Sequence, residues 1–148
     1  MMKFIGFERE EEAEAWARER LSAACEPELY RAMAAVDETG QFACAIVFSN
    51  FTARNIDLNF AARDGRWITP EGAVEMFNGI FDYAFNTLRA ARCTSLIKGG
   101  NTKSRKFVEQ LGFKLEGIMR SAFDDDDLYI YGFLASEYYT HDWYRGKR

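Results

Sequence analysis

Residues 101–117, NTKSRKFVEQLGFKLEG, constrain the fold more than any other stretch of the chain. Ser104, Phe107, Val108 and Leu111 recur at helical spacing and give a helix one buried face. Gly112 follows the last apolar residue, where a left-handed residue ends a helix at little cost. Phe113 then folds back on the last turn and a strand begins. Asn101 stands where an N-cap is expected. The N–H groups of Thr102, Lys103 and Ser104 make a partial positive charge at that end, and Lys103, Arg105 and Lys106 add full ones. Such a start suits a phosphate or another anion. From composition alone, the plainer reading is a capped surface helix with ordinary lysines.

Upstream, the hydrophobic pattern alternates between strand and helix periods. Lys3–Phe7 reads as a strand. Glu10–Leu21 reads as a helix with Ala13, Trp16, Ala17 and Leu21 on one face. Tyr30–Val36 and Phe42–Ser49 flank a turn signal at Asp37–Gly40 and read as a hairpin. Asn55–Ala62 alternates, with Ile56, Leu58 and Phe60 on one side and Asn55, Asp57 and Asn59 on the other. Thr69 and Pro70 suit the N-cap and first position of a long helix, whose stripe runs from Ala73 through Phe77, Ile80, Phe81 and Ala84 to Leu88. Thr94–Lys98 is a short buried strand, and Lys114–Ala122 pairs with Leu128–Leu134 across Asp124–Asp127. The tail from Glu137 is aromatic and polar. This order predicts an α/β (α+β) fold, a mixed and mostly antiparallel sheet of about seven strands flanked by helices on both faces.

At 148 residues the chain can bury a real core, and its 48% hydrophobic content argues against disorder. The net charge of −4 argues against a general nucleic-acid binder. Cys25, Cys44 and Cys93 form an odd, sparse set without CxxC spacing, as in a cytoplasmic protein with reduced thiols. The acidic start speaks against a signal peptide, and no apolar run reaches the length of a membrane span. A single histidine, His141, makes a zinc site improbable, and no metal is expected. The Asp124–Asp127 run lacks the glycine of a calcium loop and reads as a solvated turn.

Asn101, Ser104, Glu109, Gly112, Phe113, Glu116 and Gly117, at this spacing, resemble the coenzyme-A-side helix of the GNAT superfamily of N-acyltransferases. The resemblance is closest to the branch that acetylates ribosomal-protein N-termini. It implies one GNAT-like acyltransferase domain over 1–148, with the element order read above. The segment between the first two strands is shorter than usual for that family. The resemblance also implies acetyl-CoA as acyl donor and a primary amine as acceptor, on a protein or a small molecule. No nucleic acid or membrane partner is expected, and a homodimer stays open.

The same resemblance places the coenzyme A pyrophosphate on a loop and helix start over Ile68, Thr69, Pro70, Glu71, Gly72 and Ala73, with Val74 following and Trp67 at a position often aromatic. Ile68 and Glu71 depart from the family's polar first residue and first glycine. Pro70 removes an N–H donor, and Glu71 adds a carboxylate where phosphate charge is expected. Asn101, Ser104 and Arg105 complete the expected cofactor contacts. Asp57 is the candidate base, directly or through water, against the alternative that Asp57 and Asn59 only satisfy polar neighbours. The N–H of Ala61 or Ala62 would polarise the thioester carbonyl. Val108 occupies the place of the tyrosine that many members use to protonate the thiolate, leaving Tyr129 or Tyr131 as substitutes, ordinary strand aromatics otherwise. The alternative to an enzyme is a binding or assembly module that keeps the fold without efficient catalysis.

Overall fold

The computed structural model describes residues 2–21, 30–63 and 70–147. Among these, seven strands form one sheet: β1 (Lys3–Gly6), β2 (Tyr30–Val36), β3 (Phe42–Ser49), β4 (Asn55–Ala62), β5 (Arg92–Lys98), β6 (Lys114–Met119) and β7 (Leu128–Leu134). Their spatial order is β1-β2-β3-β4-β5-β7-β6. Every neighbouring pair is antiparallel except β4 and β5, which run parallel. A parallel pair needs a crossover, and helix α2 (Pro70–Phe81) supplies it.

Strand alternation sorts the side chains into two unequal cores. On one face, Ala13, Trp16 and Ala17 of α1 (Glu10–Arg18) pack on small residues of the sheet, including Ala32, Ala34, Ala45 and Ala61. The other face carries the larger cluster, in which α2, α3 (Thr102–Leu111) and Tyr138 of α4 (Ala135–Tyr139) cover β2 to β7. Phe77, Phe81 and Phe133 lie within 4.9–6.0 Å of one another, centroid to centroid, and are almost wholly buried. Truncating one such phenylalanine costs about 3–5 kcal/mol. Among the described residues no helix is long and apolar enough to cross a membrane.

The second long helix is not one α-helix. After Phe81 the chain continues as a π-helical stretch over Asp82–Thr87, and Leu88 donates its N–H to the Tyr83 carbonyl at 2.9 Å. The wider turn leaves Ala84 and Phe85 buried together. It also leaves Asp82 to accept the Tyr138 hydroxyl at 2.6 Å. The tail packs rather than trails. Tyr138 is fully buried, and Asn78 holds the following segment by donating to the Trp143 carbonyl at 2.8 Å. The β6 strand stops at Met119, earlier than its composition suggests, where Ser121 takes a positive φ and donates its N–H to Asp127.

The glycine-terminated helix forms as its pattern predicts. Asn101 caps α3 by accepting the Ser104 N–H at 3.2 Å. Gly112 ends it with φ +110°, and Phe113 donates back to Val108 at 3.0 Å. The two glutamates of the segment are tied into the scaffold: Glu109 accepts the Tyr131 hydroxyl at 2.7 Å, and Glu116 takes both arms of Arg92 at 2.6 and 3.2 Å.

Candidate active site

The parallel strands β4 and β5 pair only at their beginnings. Asn55, Ile56 and Asp57 lie opposite Arg92, Cys93 and Thr94, and no pair follows. From there β4 runs on to Ala62 and β5 to Lys98 as separate edges. The gap leaves backbone donors and acceptors without a strand partner, which buried polar groups do not tolerate unless something binds them.

The β3–β4 ladder decides which groups face the gap. Arg63 donates its N–H to the Ala43 carbonyl at 2.9 Å, and Ala61 lies opposite Ala45. Hydrogen-bonded and non-hydrogen-bonded pairs alternate along an antiparallel ladder, so Ala61 and Arg63 turn their N–H groups to β3. Phe60 and Ala62 turn theirs into the gap. Of the two expected donors, Ala62 is therefore the one available, and Ala61 is committed to the ladder.

A cavity of about 880 Å³ occupies the gap and reaches both faces of the sheet. Its β4 and β5 walls are Asn59–Ala62 and Ser95–Lys98; Ala73 of α2 and Asn101, Lys103 and Ser104 at the start of α3 close one side. Three segments far apart in sequence thus meet in one cavity. Among the described residues, the cationic ones lining it are Arg20, Arg63, Lys98, Lys103 and Lys106, and none that line it is an aspartate or glutamate. Lys98 and Arg63 are paired with Asp125 and Asp37. Lys103 and Lys106 make no ion pair among the described residues. Phe60 spans from β4 to α3, its ring centroid 5.3 Å from that of Phe107.

The start of α3 is more committed than its sequence suggests. Thr102 donates its N–H to Gly100 at 3.0 Å, and Ser104 donates to the cap. Only the Lys103 N–H of that turn stays free for an anion. Arg105 does not line the cavity. Its guanidinium is held by the Tyr131 hydroxyl and the Gly99 carbonyl, both at 3.1 Å, and lies 4.0 Å above the Tyr129 ring. Neither Tyr129 nor Tyr131 lines the cavity, and the Tyr131 hydroxyl donates to Glu109. Tyr131 is fully buried, and burial raises its hydroxyl pKa above the ordinary value.

The remaining expected residues separate. Asp57 stands at the base of the gap, as the last β4 residue paired with β5. It is outside the cavity lining, and its carboxylate accepts from the Asn50 and Asn55 amides at 2.9 and 3.0 Å. Gly72 is buried in α2, and Val74 does not line the cavity. Val74 and Glu71 instead line a shallower groove of about 650 Å³ with Asp142 and Tyr144. Glu71 lines that groove and is not among the residues that line the cationic cavity. Ile68, Trp67 and Thr69 lie outside the described residues.

Sequence reasoning missed Asp126 and Trp143. Asp126, in the run expected to be a solvated turn, accepts the Gly100 N–H at 2.6 Å and so holds the loop that enters α3. Backbone donors at Asp127 and Gly100 depress its pKa. Trp143 lines both the cavity and the groove. Its only sequence signal is Asn78, a polar residue in the apolar stripe of α2, whose amide holds the Trp143 carbonyl.

No curated protein matches the chain in sequence. Among solved structures, the spermidine/spermine N-acetyltransferase SpeG from Vibrio cholerae, solved with manganese ions, is 16% identical with a TM-score of 0.66, over 93% of this chain and 94% of that one. The dodecameric spermidine N-acetyltransferase of the same organism is 15% identical with a TM-score of 0.66, over 95% and 96%. An acetyltransferase of the GNAT family from Bacillus anthracis is 19% identical with a TM-score of 0.58, over 72% and 67%. At such identities these likenesses establish the fold. A family model described as acetyltransferase (GNAT) domain matches residues 1–114, all but the last part of the sheet and the tail. The chain belongs to the GNAT acetyltransferase family.

Proposed function

We propose that residues 1–148 act as one acetyl-CoA-dependent N-acetyltransferase domain with a primary amine as acceptor. The observation that carries this reading is the parting of β4 and β5 into a cavity whose lining, among the described residues, has five cationic side chains and no carboxylate. Its chemistry fits the donor. Lys103, Lys106 and the free Lys103 N–H suit phosphate oxygens. The β4 edge offers the Ala62 N–H to a thioester carbonyl, a position where one oriented donor is worth about 3 kcal/mol in the transition state. Asp57 is the proposed base, reaching the amine through water from the face that carries Asn59. A polyamine, the acceptor named for the Vibrio cholerae structures, fits poorly because the lining would repel a polycation. The ribosomal-protein branch makes a protein N-terminus the first acceptor to try.

A thermal shift with acetyl-CoA tests the reading. Cofactor at a hundred times its Kd should stabilise the protein by about 2.7 kcal/mol, and release of free thiol should follow when primary amines and N-terminal peptides are added. Absence of any shift at millimolar acetyl-CoA would sink it. In an active preparation, Asp57→Asn should lower kcat at least a hundredfold and remove the acidic limb of the pH profile. An unchanged profile would discharge Asp57 from the role.

Val108 supports a second reading. It is fully buried in the cavity wall and carries no proton donor, as befits a module that binds the donor without turning it over. Shift without thiol release across the whole panel is its signature.

A further inference from the structure

The cavity opens on both faces of the sheet, and its cations fall into two sets. Lys103 and Lys106 stand on α3, where the proposed donor's phosphates account for them. Arg20, Arg63 and Lys98 belong to the other mouth. Ala61 packs with the α1 cluster, and side chains alternate along a strand, so Asn59 and Arg63 share its face. The Thr94 hydroxyl donates to the Asn55 side chain across the paired start of β4 and β5, which puts Leu96 and Lys98 on that face too. Arg20 and Leu21 follow the end of α1 and line the same opening with Phe123. Carrying the β4–β5 register past its last pair sets Lys98 level with Ala61, next to the residue that offers its N–H to the thioester. With the donor entering from the α3 side, the acceptor enters from this one.

Three cations are poor surroundings for a bare amine, which is itself a cation until it gives up a proton. An amine that carries its own anion is attracted instead. Two of the cations are available to such an anion, because their carboxylate neighbours stand outside the lining and hold them loosely. Glu19 lies 3.6 Å from Arg20 and Asp125 3.1 Å from Lys98, with side chains 78% and 77% exposed. Pairs so exposed are weak, and a bound carboxylate can displace them. Both cations are nevertheless held in place. The Arg20 guanidinium lies 3.9 Å above the Trp16 ring and donates to the Trp16 carbonyl at 3.0 Å, and the Lys98 ammonium lies 5.2 Å above the Phe123 ring.

We propose that the acceptor is a primary amine that itself carries a carboxylate, and that Arg20 and Lys98 select it. The inference rests on the acetyl-transfer reading and names the acceptor class for it. The two cations bind the acceptor's carboxylate at the α1-side mouth and leave its amine at the level of the thioester. They turn away amines whose nearest charge is a second ammonium.

Thiol release from acetyl-CoA is followed with three peptide amides that differ only in the second residue, Ser-Glu-Gly, Ser-Gln-Gly and Ser-Lys-Gly. The α-amides of free glutamate and glutamine run beside them and distinguish a small acceptor from a chain end. In whichever set reacts, the acidic member should exceed its neutral partner about tenfold in kcat/KM, and the glutamate peptide should exceed the lysine peptide about a hundredfold. Both advantages should shrink as salt rises. Arg20→Glu and Lys98→Glu should each lower the glutamate-over-lysine ratio about tenfold or more, and together invert it. A merely structural role for these cations would lower all the rates together and leave the ratio alone, which overturns the inference. Equal rates across the charges, or thiol release with spermidine but none of the five amides, also overturn it and leave the acetyl-transfer reading standing. Failure to bind acetyl-CoA overturns that reading, and this inference with it.

Discussion

Two helix starts face the same ligand space, and they are built in opposite ways. Among the described residues, the start of α3 brings a side-chain cap at Asn101, one free N–H at Lys103 and two lysines without an ion pair to the cavity. The start of α2 brings Pro70, which has no N–H, and the small side chain of Ala73. The one charge of that first turn, Glu71, is turned to the neighbouring groove. The contrast teaches that a carboxylate at a phosphate-facing helix start need not oppose the phosphate. A helix places consecutive residues about 100° apart, so one position can line a cavity while the next faces another surface. Binding charge is carried by α3, and α2 contributes shape.

That division of labour can be broken from the α3 side first. Lys103→Glu combined with Lys106→Glu should weaken acetyl-CoA binding about a hundredfold by calorimetry, roughly 1.4 kcal/mol per reversed charge. A loss under threefold would mean that the anion sits elsewhere. Asn101→Ala removes the cap and should cost about 1 kcal/mol, a melting temperature lower by about 3 °C. Asn101→Asp should keep the stability while weakening the cofactor, since it caps equally well but adds a negative charge.

Asp126 gives a pH-dependent version of the same comparison. Its folded pKa is depressed by the N–H groups of Asp127 and Gly100. The stabilisation from its ionised form is complete above the ordinary carboxylate value of about 3.9 and is lost as pH falls through the lower folded value. Asp126→Asn should therefore lower the melting temperature at neutral pH and flatten its fall below about pH 4. Equal acid limbs in the two proteins would show that Asp126 does not anchor the α3 loop. The smallest effect is expected on the α2 side. Glu71→Gln should change acetyl-CoA affinity by less than about twofold, because an exposed charge facing another surface is screened. A tenfold gain would show that Glu71 turns into the cavity and would erase the contrast.

Legibility in the sequence followed the range of the interactions. Strands β2, β3, β4 and β7 lie at the residues their alternation predicts, and α3 starts and stops at Asn101 and Gly112, because period, cap and left-handed glycine are local properties. The π-helical stretch and the packed tail escaped because both depend on Tyr138 reaching Asp82 and Asn78 from some 60 positions away. In the site, Asn101, Ser104, Ala62 and Ala73 were legible as cavity residues. Arg105 was not separable from Lys103 and Lys106 by charge alone. Helix phase sends it to Tyr131 and Gly99, and its neighbours to the cavity.

The sequence by itself determined the order of elements, the polarity of each strand face and the capped, cationic helix that carries the family's pattern. Tertiary structure decided which of those groups face one another. The hydrogen-bond phase of β4 against β3 turns Ala62 rather than Ala61 into the gap. The early end of pairing between β4 and β5 opens the cavity between them. Neither is written in local propensity, because a strand's sequence specifies which face is apolar but not where its neighbour lets go.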